Sequence, residues 1–382
     1  MTDAWLDRAW RLPANRVSRF YRGGLLLDGF RGVAGAGDTD LPEDWVGSAT
    51  RAWTPLDQPT TDEGLGDAEL DGERRRVLDL VAAHPVEVAG APDDAVTGTA
   101  LGRPSTGILV KLLDAGVRLP VHAHPSRAFA RRHLGSLFGK AEAWLVVATR
   151  SIEGAPPPAV SLGFRRDVGT EEFRRWLDVG GGPDLFDALH HRPTRAGDVW
   201  FVPPGTPHAI GAGVFIVELQ EPTDFSIVLE TRGFPIRADD AHLGLGWNVA
   251  MEGVNTSVLE PAALDALFLH HDAAQTDERL EFLPRAASEF FGAERVVLTT
   301  TVDLDLPARF VIGITSAGSG RVRTGSAALA IQAGDTWALP ASAVPGAKLE
   351  ADGRLEVIVC QPAAVPPASV TVPLASAAAS DR

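Results

Sequence analysis

The chain alternates short apolar runs with turn-forming clusters over most of its length, and only a few stretches carry helical spacing. Residues 12–70 are rich in Gly, Pro, Asp and Trp, with apolar runs at 24–27 and 45–48, a pattern of short strands and turns. Residues 73–84 differ. Val77, Leu80, Val81 and His84 recur at i, i+3, i+4 and i+7 behind three arginines, which predicts one amphipathic helix. Residues 107–125, GILVKLLDAGVRLPVHAHP, predict two strands around a turn at 114–116. Ser126 stands where a helix N-cap belongs, and Gly139 releases the chain into a strand beginning at Lys140. Residues 154–195 read as a helical insertion: Thr170 with Glu171 and Glu172 as a helix start, Phe173, Trp176 and Leu177 as its apolar stripe, and a second helix over 184–190. Strands return over 198–230. Helices interrupting antiparallel-type strands predict a mainly β fold, a barrel or sandwich with a helical side element.

Beyond residue 253 a helix is expected over 260–269, followed by short strands and glycine turns over 294–361. The run GDTWALP at 334–340 repeats the layout of GDVWFVP at 197–203, a weak internal repeat that predicts two related β-domains. The later copy has Ala343 or Val344 where the earlier one goes on to His208. The expected organisation is therefore a catalytic, metal-binding domain over 1–256, a metal-free domain over 257–367, and a flexible tail over 368–382.

Composition narrows the partners. With 45% hydrophobic and 22% charged residues, the 382-residue chain belongs to the soluble globular class. Fifty acidic against 35 basic side chains give a formal charge of −15, which disfavours a nucleic-acid or anionic-membrane partner and requires any anionic substrate to be held by a few well-placed cations. Cys360 is the single cysteine, which fits a reducing cytoplasm, and neither a signal-peptide pattern nor a membrane-length apolar run is present.

The candidate chemistry lies on the strands. His122 and His124 share one strand face, Lys140 and Glu142 share one face of the strand that follows, and the turn Pro203-Pro204-Gly205-Thr206-Pro207 aims His208 at the same region. Three imidazoles and a carboxylate make an N₃O donor set with open positions, the arrangement of a catalytic metal. Glu218 lies on a strand face opposite Val217 and Leu219.

These motifs, with GKAEAW, VELQEPTD and the N-terminal YRGG and EDWVGS, resemble over residues 16–250 the type I mannose-6-phosphate isomerase family of zinc-dependent enzymes. The resemblance implies two cupin-type (jelly-roll) β-barrels, with a helical insertion in the catalytic half. It implies His122, His124, Glu142 and His208 as metal ligands, with histidine at 122 in place of the family's glutamine. One divalent metal is expected, zinc foremost, with iron, manganese or nickel also suited. Lys140, Glu218 and Asp224 fall on catalytic positions. The implied activity is aldose–ketose isomerisation of mannose 6-phosphate or a close analogue through an enediol. Three departures bear on substrate: Val228 stands at the family's arginine, Phe234 at a lysine and Pro120 at a serine. Arg232 and Arg237 are the foremost candidates to bind substrate instead, with Arg127 and Arg131 behind them. The lost arginine keeps an unphosphorylated or different sugar open as the substrate, and a non-catalytic sugar-binding cupin is the remaining alternative.

Overall fold

The computed structural model describes residues 4–55, 57–90, 104–272 and 278–363, so the expected tail over 368–382 lies outside it. The architecture is mainly β, built from three antiparallel sheets. A seven-stranded sheet runs in the order Phe268–His270, Asp198–Val202, Glu142–Thr149, Val214–Gln220, Leu109–Ala115, Glu43–Val46, Arg16–Val17. Four of these strands, Leu109–Ala115, Asp198–Val202, Val214–Gln220 and Glu43–Val46, are buried at every position, and the first three read as largely apolar runs rather than alternation. A five-stranded sheet faces it, in the order Leu189–Pro193, Ala159–Phe164, His208–Ile210, His122–Ala123, Ile227–Val228.

The third sheet has ten strands, and its chain order is the less expected part. Its C-terminal strands, among them Val311–Thr324, Thr336–Leu339 and Lys348–Pro362, are continued by Trp10–Leu12, Asp67–Leu70 and Glu73–Arg76. In return Phe268–His270 joins the seven-stranded sheet through Asp198–Val202. Sheet pairing thus crosses residue 256 in both directions, and one apolar core containing Trp10, Trp144, Phe215, Phe291 and Phe310 spans both halves.

Several local expectations need correction. Residues 73–84 are not one helix: Glu73–Arg76 is a strand and the helix is Val77–Ala83. Asp71 and Gly72 both hold positive φ, 54° and 83°, the turn that closes a two-residue hairpin, and it sets Arg76 beside Asp67 at 3.2 Å. The insertion is not purely helical, because Ala159–Phe164 and Leu189–Pro193 pair with each other. Its second helix ends at Asp187 because Leu189 is drawn into the sheet opposite Phe164. Its first helix, Thr170–Asp178, buries Phe173, Trp176 and Leu177 as the spacing required, with Gly169 rather than Thr170 at the N-cap. The helix expected over 260–269 is confined to Pro261–Asp265. Ser126 caps Arg127–His133 as read, accepting the Phe129 N–H.

The internal repeat extends to backbone conformation. Gly197 and Gly334 hold φ of 90° and 88°, and a Cβ at either would run into a backbone carbonyl, that of His271 or of Phe30. Among the described residues no helix is long and apolar enough to cross a membrane.

Candidate active site and metal centre

Strand register sets the chemistry in rows. On the seven-stranded sheet Trp45, Lys111, Glu218, Trp144 and Trp200 stand opposite one another on successive strands, and paired positions share a face. Glu142 lies two residues from Trp144 on the same strand, hence on the same face, paired with Gln220. On the facing sheet His208 is opposite His122, and Val228 is opposite His122 on its other side. The two faces enclose a cavity of about 340 Å³ lined by His122, Lys140, Glu142, Glu218 and Asp224 among others.

The three imidazoles converge. Potential ligand nitrogens of His122, His124 and His208 lie within 4.8 Å of one another. Each ring uses Nδ1 on a backbone carbonyl at 2.8 Å: Pro120 for His122, Phe225 for His124, Thr206 for His208. A carbonyl only accepts, so each Nδ1 carries the proton and each Nε2 presents a lone pair. The Nε2 of His208 is buried without a hydrogen-bond partner. That of His124 lies 2.9 Å from Glu142 Oε1, two acceptors facing one another, and that of His208 lies 3.6 Å from Glu142 Oε2. Burial, which outweighs the opposing charge of Glu142, pushes the imidazoles down to about 3 for His122, about 4 for His124 and about 3 for His208, so all three are neutral at physiological pH. Burial opposes ionisation of Glu142, but with the imidazoles neutral the Lys140 ammonium 2.7 Å away holds the carboxyl below the usual range. Neutral imidazole nitrogens and a carboxylate crowded around one point, one of them orphaned, fit a divalent cation of the zinc type. The ammonium of Lys140 supplies positive charge there, 2.7 Å from Glu142 Oε1 and 3.2 Å from His124 Nε2.

Beside this centre lies a second charged group. Lys111, buried in the middle of its strand, sits 3.5 Å from Glu218, 3.6 Å from Glu43 and 3.8 Å from Asp224, with its ammonium over the Trp45 ring. Arg19 forks onto both oxygens of Asp224 at 3.2–3.3 Å and reaches Glu43 at 3.0 Å, while Tyr21 donates to Glu43. The two carboxylates between them behave differently. Asp224 also accepts the Trp53 N–H, and against the cost of burial Arg19 and Lys111 hold it ionised, below its usual range. Glu218 accepts one hydrogen bond, from Trp144 Nε1 at 3.1 Å. Burial and the charge of Glu142 push it up to about 8, because Lys111 is shared among three carboxylates and offsets only part of that cost.

The residues singled out in the sequence are thus distributed as follows. His122, Lys140, Glu142, Glu218 and Asp224 line one cavity, and His124 and His208, not themselves among its lining residues, cluster with His122. Arg237 lies on the rim of the cavity, whereas Arg232 is not among its lining residues. Arg127 is bound to Glu221 at 2.6 Å, and Glu221 accepts the Ala141 N–H, fixing the chain just before the strand Glu142–Thr149, which begins two residues after Lys140 rather than at it. Phe234 packs against Phe20 and under Arg118. Lys111, Arg19, Tyr21 and Glu43 were not anticipated. A lysine inside the run GILVKLLDAG was the available signal for Lys111, since a cation in a fully buried strand requires carboxylate partners. Arg19 reaches the cavity from a loop and carried no periodicity.

No protein-family model matches the chain. It is 30% identical over 256 residues to the mannose-6-phosphate isomerase of Streptococcus mutans, an alignment covering 66% of this chain and 72% of that one. Its fold is similar to that of mannose 6-phosphate isomerase from Bacillus subtilis, with TM-score 0.63 and 18% identity over 92% of this chain and 99% of that chain. It is also similar to that of mannose 6-phosphate isomerase from Salmonella typhimurium bound to fructose 6-phosphate and zinc, with TM-score 0.62 and 14% identity over 92% and 99% of the two chains.

Proposed function

Because the chain belongs to the mannose-6-phosphate isomerase family, we propose that it interconverts mannose 6-phosphate and fructose 6-phosphate, or a close aldose–ketose pair, at the cavity that the three-histidine cluster meets through His122. The observation that carries this reading is the convergence of three neutral Nε2 lone pairs and Glu142 beside a second carboxylate, Glu218, whose proton affinity is near neutrality. His122, His124, His208 and Glu142 would hold one divalent metal, zinc by donor chemistry, which when bound supplies positive charge to the sugar oxygens at C1 and C2.

The chain's own groups divide the remaining work. Isomerisation moves a proton between C2 and C1 through an enediol, so a group must accept it and return it without a large change in free energy. Glu218 suits this, because a carboxyl raised to about 8 by burial and by Glu142 exchanges protons near physiological pH. Asp224, held ionised by Arg19, Lys111 and the Trp53 N–H, suits accepting a sugar hydroxyl rather than carrying a proton. Lys140 and Lys111 present ammonium groups that offset the negative charge developing on the enediol oxygens. The apolar wall from Leu119, Ile210 and Val228 limits water at the reacting carbons. The buried single cysteine, Cys360, fits a reducing cytoplasm, and the acidic balance fits a small-molecule rather than a nucleic-acid or membrane partner.

The test is conversion of mannose 6-phosphate in deuterium oxide by protein prepared without chelator. Fructose 6-phosphate with deuterium at the transferred position supports the reading, and binding without any exchange at C1 or C2 removes it. A second reading, an unphosphorylated aldose, is favoured by one observation: the position opposite His122 is the apolar Val228. Unphosphorylated mannose in the same experiment separates the two.

A further inference from the structure

We propose that Arg237, on the rim of the cavity, is the specificity-determining cation that takes the substrate's phosphate, exchanging Asp57 for it. This rests on the isomerase reading above and identifies the group that selects a phosphorylated over a neutral sugar.

Four cationic side chains line the cavity, Arg19, Lys111, Lys140 and Arg237, and each is paired with carboxylates. The cost of leaving those partners decides which of them can turn to a ligand. Arg19 is 16% exposed and bound to both Glu43 and Asp224, themselves 5% and 10% exposed. Lys111 and Lys140 are 3% and 5% exposed against carboxylates as deeply buried. Withdrawing any of these three leaves a buried charge without its partner. Arg237 differs in kind. It is 54% exposed, and its partner Asp57, 3.0 Å away, is 59% exposed. An ion pair in that setting is weak, because water and salt screen it. A phosphate dianion, with more charge than Asp57 and acceptor oxygens matched to the guanidinium fork, outcompetes it.

Position agrees with cost. A hexose 6-phosphate carries its phosphate at the end of the chain remote from C1 and C2. With the reacting carbons beside His122, the phosphate falls toward the exposed part of the lining, which includes Pro55, Pro235, Ile236 and the half-exposed Arg237. The Arg237–Asp57 pair joins chain segments 180 residues apart there, and Asp240, 3.5 Å from Arg237 Nε, anchors the guanidinium to its own loop. Exchange of Asp57 for phosphate leaves the Asp240 contact in place, so the side chain does not have to be ordered anew.

The experiment uses the full, metal-loaded chain. Mannose 6-phosphate binding is measured by calorimetry, and KM and kcat for mannose 6-phosphate and for mannose by assay of the ketose product. Arg237→Gln is expected to weaken mannose 6-phosphate binding at least tenfold, and to lower the preference for mannose 6-phosphate over mannose by the same factor through KM. Asp57→Asn is expected to tighten mannose 6-phosphate binding by up to about fivefold, since it removes the competitor. Arg192→Gln, which breaks an equally exposed ion pair with Asp265 away from the cavity, serves as the control and changes neither. Arg237→Gln with affinity and KM within twofold of wild type overturns the proposal, as does a metal-loaded wild type that binds no mannose 6-phosphate. Binding that depends on Arg237 without conversion keeps the proposal and removes the isomerase reading. Conversion untouched by Arg237→Gln does the reverse.

Discussion

His208 and His122 stand directly opposite one another on neighbouring antiparallel strands, their ring centroids 4.2 Å apart. Two imidazoles at that separation, His208 buried, His122 half-buried and both neutral, are held together by the sheet rather than by each other. Their Nε2 lone pairs suit a shared cation, and if they hold it His208→Ala and Glu142→Ala should each lower metal affinity by at least about a hundredfold. Elemental analysis after dialysis, with circular dichroism to show that the fold persists, measures this. Wild-type protein that is fully active without metal would remove the metal centre.

The same histidines set the acid behaviour of chelator-treated protein. Their folded values, about 3 to 4, lie below the ordinary imidazole value near 6.5, so the unfolded chain binds more protons at acid pH. Stability is therefore unaffected above about pH 6.5 and declines as pH falls toward 4, by up to about 1.4 kcal/mol per pH unit for each histidine. Urea unfolding between pH 7 and 5 reads the slope. His122→Gln should flatten it by close to one proton, and an unchanged slope would count against a neutral His122.

Glu218 titrates in the opposite sense. Its folded value, about 8, lies above the ordinary carboxyl value, so the folded state retains a proton that the unfolded chain releases from about pH 4.5 upward, and stability declines as pH rises toward 8. Glu218→Gln should make the metal-free protein more stable than wild type at pH 8, with little difference at pH 4. In metal-loaded enzyme the same substitution should lower kcat by about 10²–10⁴. A variant of unaltered kcat would assign proton transfer elsewhere.

Lys111 neutralises three carboxylates at once, and Lys111→Met leaves Glu43, Glu218 and Asp224 facing one another. The expected loss is about 3–5 kcal/mol, measured by denaturant unfolding at pH 7. Lowering the pH should restore part of it as the carboxylates take up protons. A loss that does not shrink with acidification would mean that packing, not charge, is what Lys111 provides.

How far the sequence reveals this molecule depends on the range of the forces involved. Ser126 and the stripe Phe173, Trp176 and Leu177 were legible because capping and amphipathic spacing are local. The Asp71–Gly72 hairpin was legible in principle but was overridden by a helical period that starts one turn later, at Val77. The metal cluster could be read because strand alternation and the proline turn before His208 leave few directions for its residues to face. The group around Lys111 could not be read in the same way. Arg19, Glu43, Lys111 and Asp224 come from four separate segments, and their association depends on which strands become neighbours. The same is true of Arg232 and Arg237, close in sequence, of which one borders the cavity and the other does not.

The strand Trp10–Leu12 is held by Thr336–Leu339, and the hydroxyl of Thr336 donates to the carbonyl of Leu12 across a separation of 324 residues. On a ribosome the first of these strands emerges long before its partner exists. Until then the strand can pair with Asp67–Leu70 on one side only, and Trp10, wholly buried in the finished molecule, lacks the cover that the C-terminal strands supply. The ten-stranded sheet is accordingly among the last parts to close, and a chain interrupted before residue 336 exposes an unpaired edge and an indole, an adhesive surface that a holding chaperone would be expected to cover.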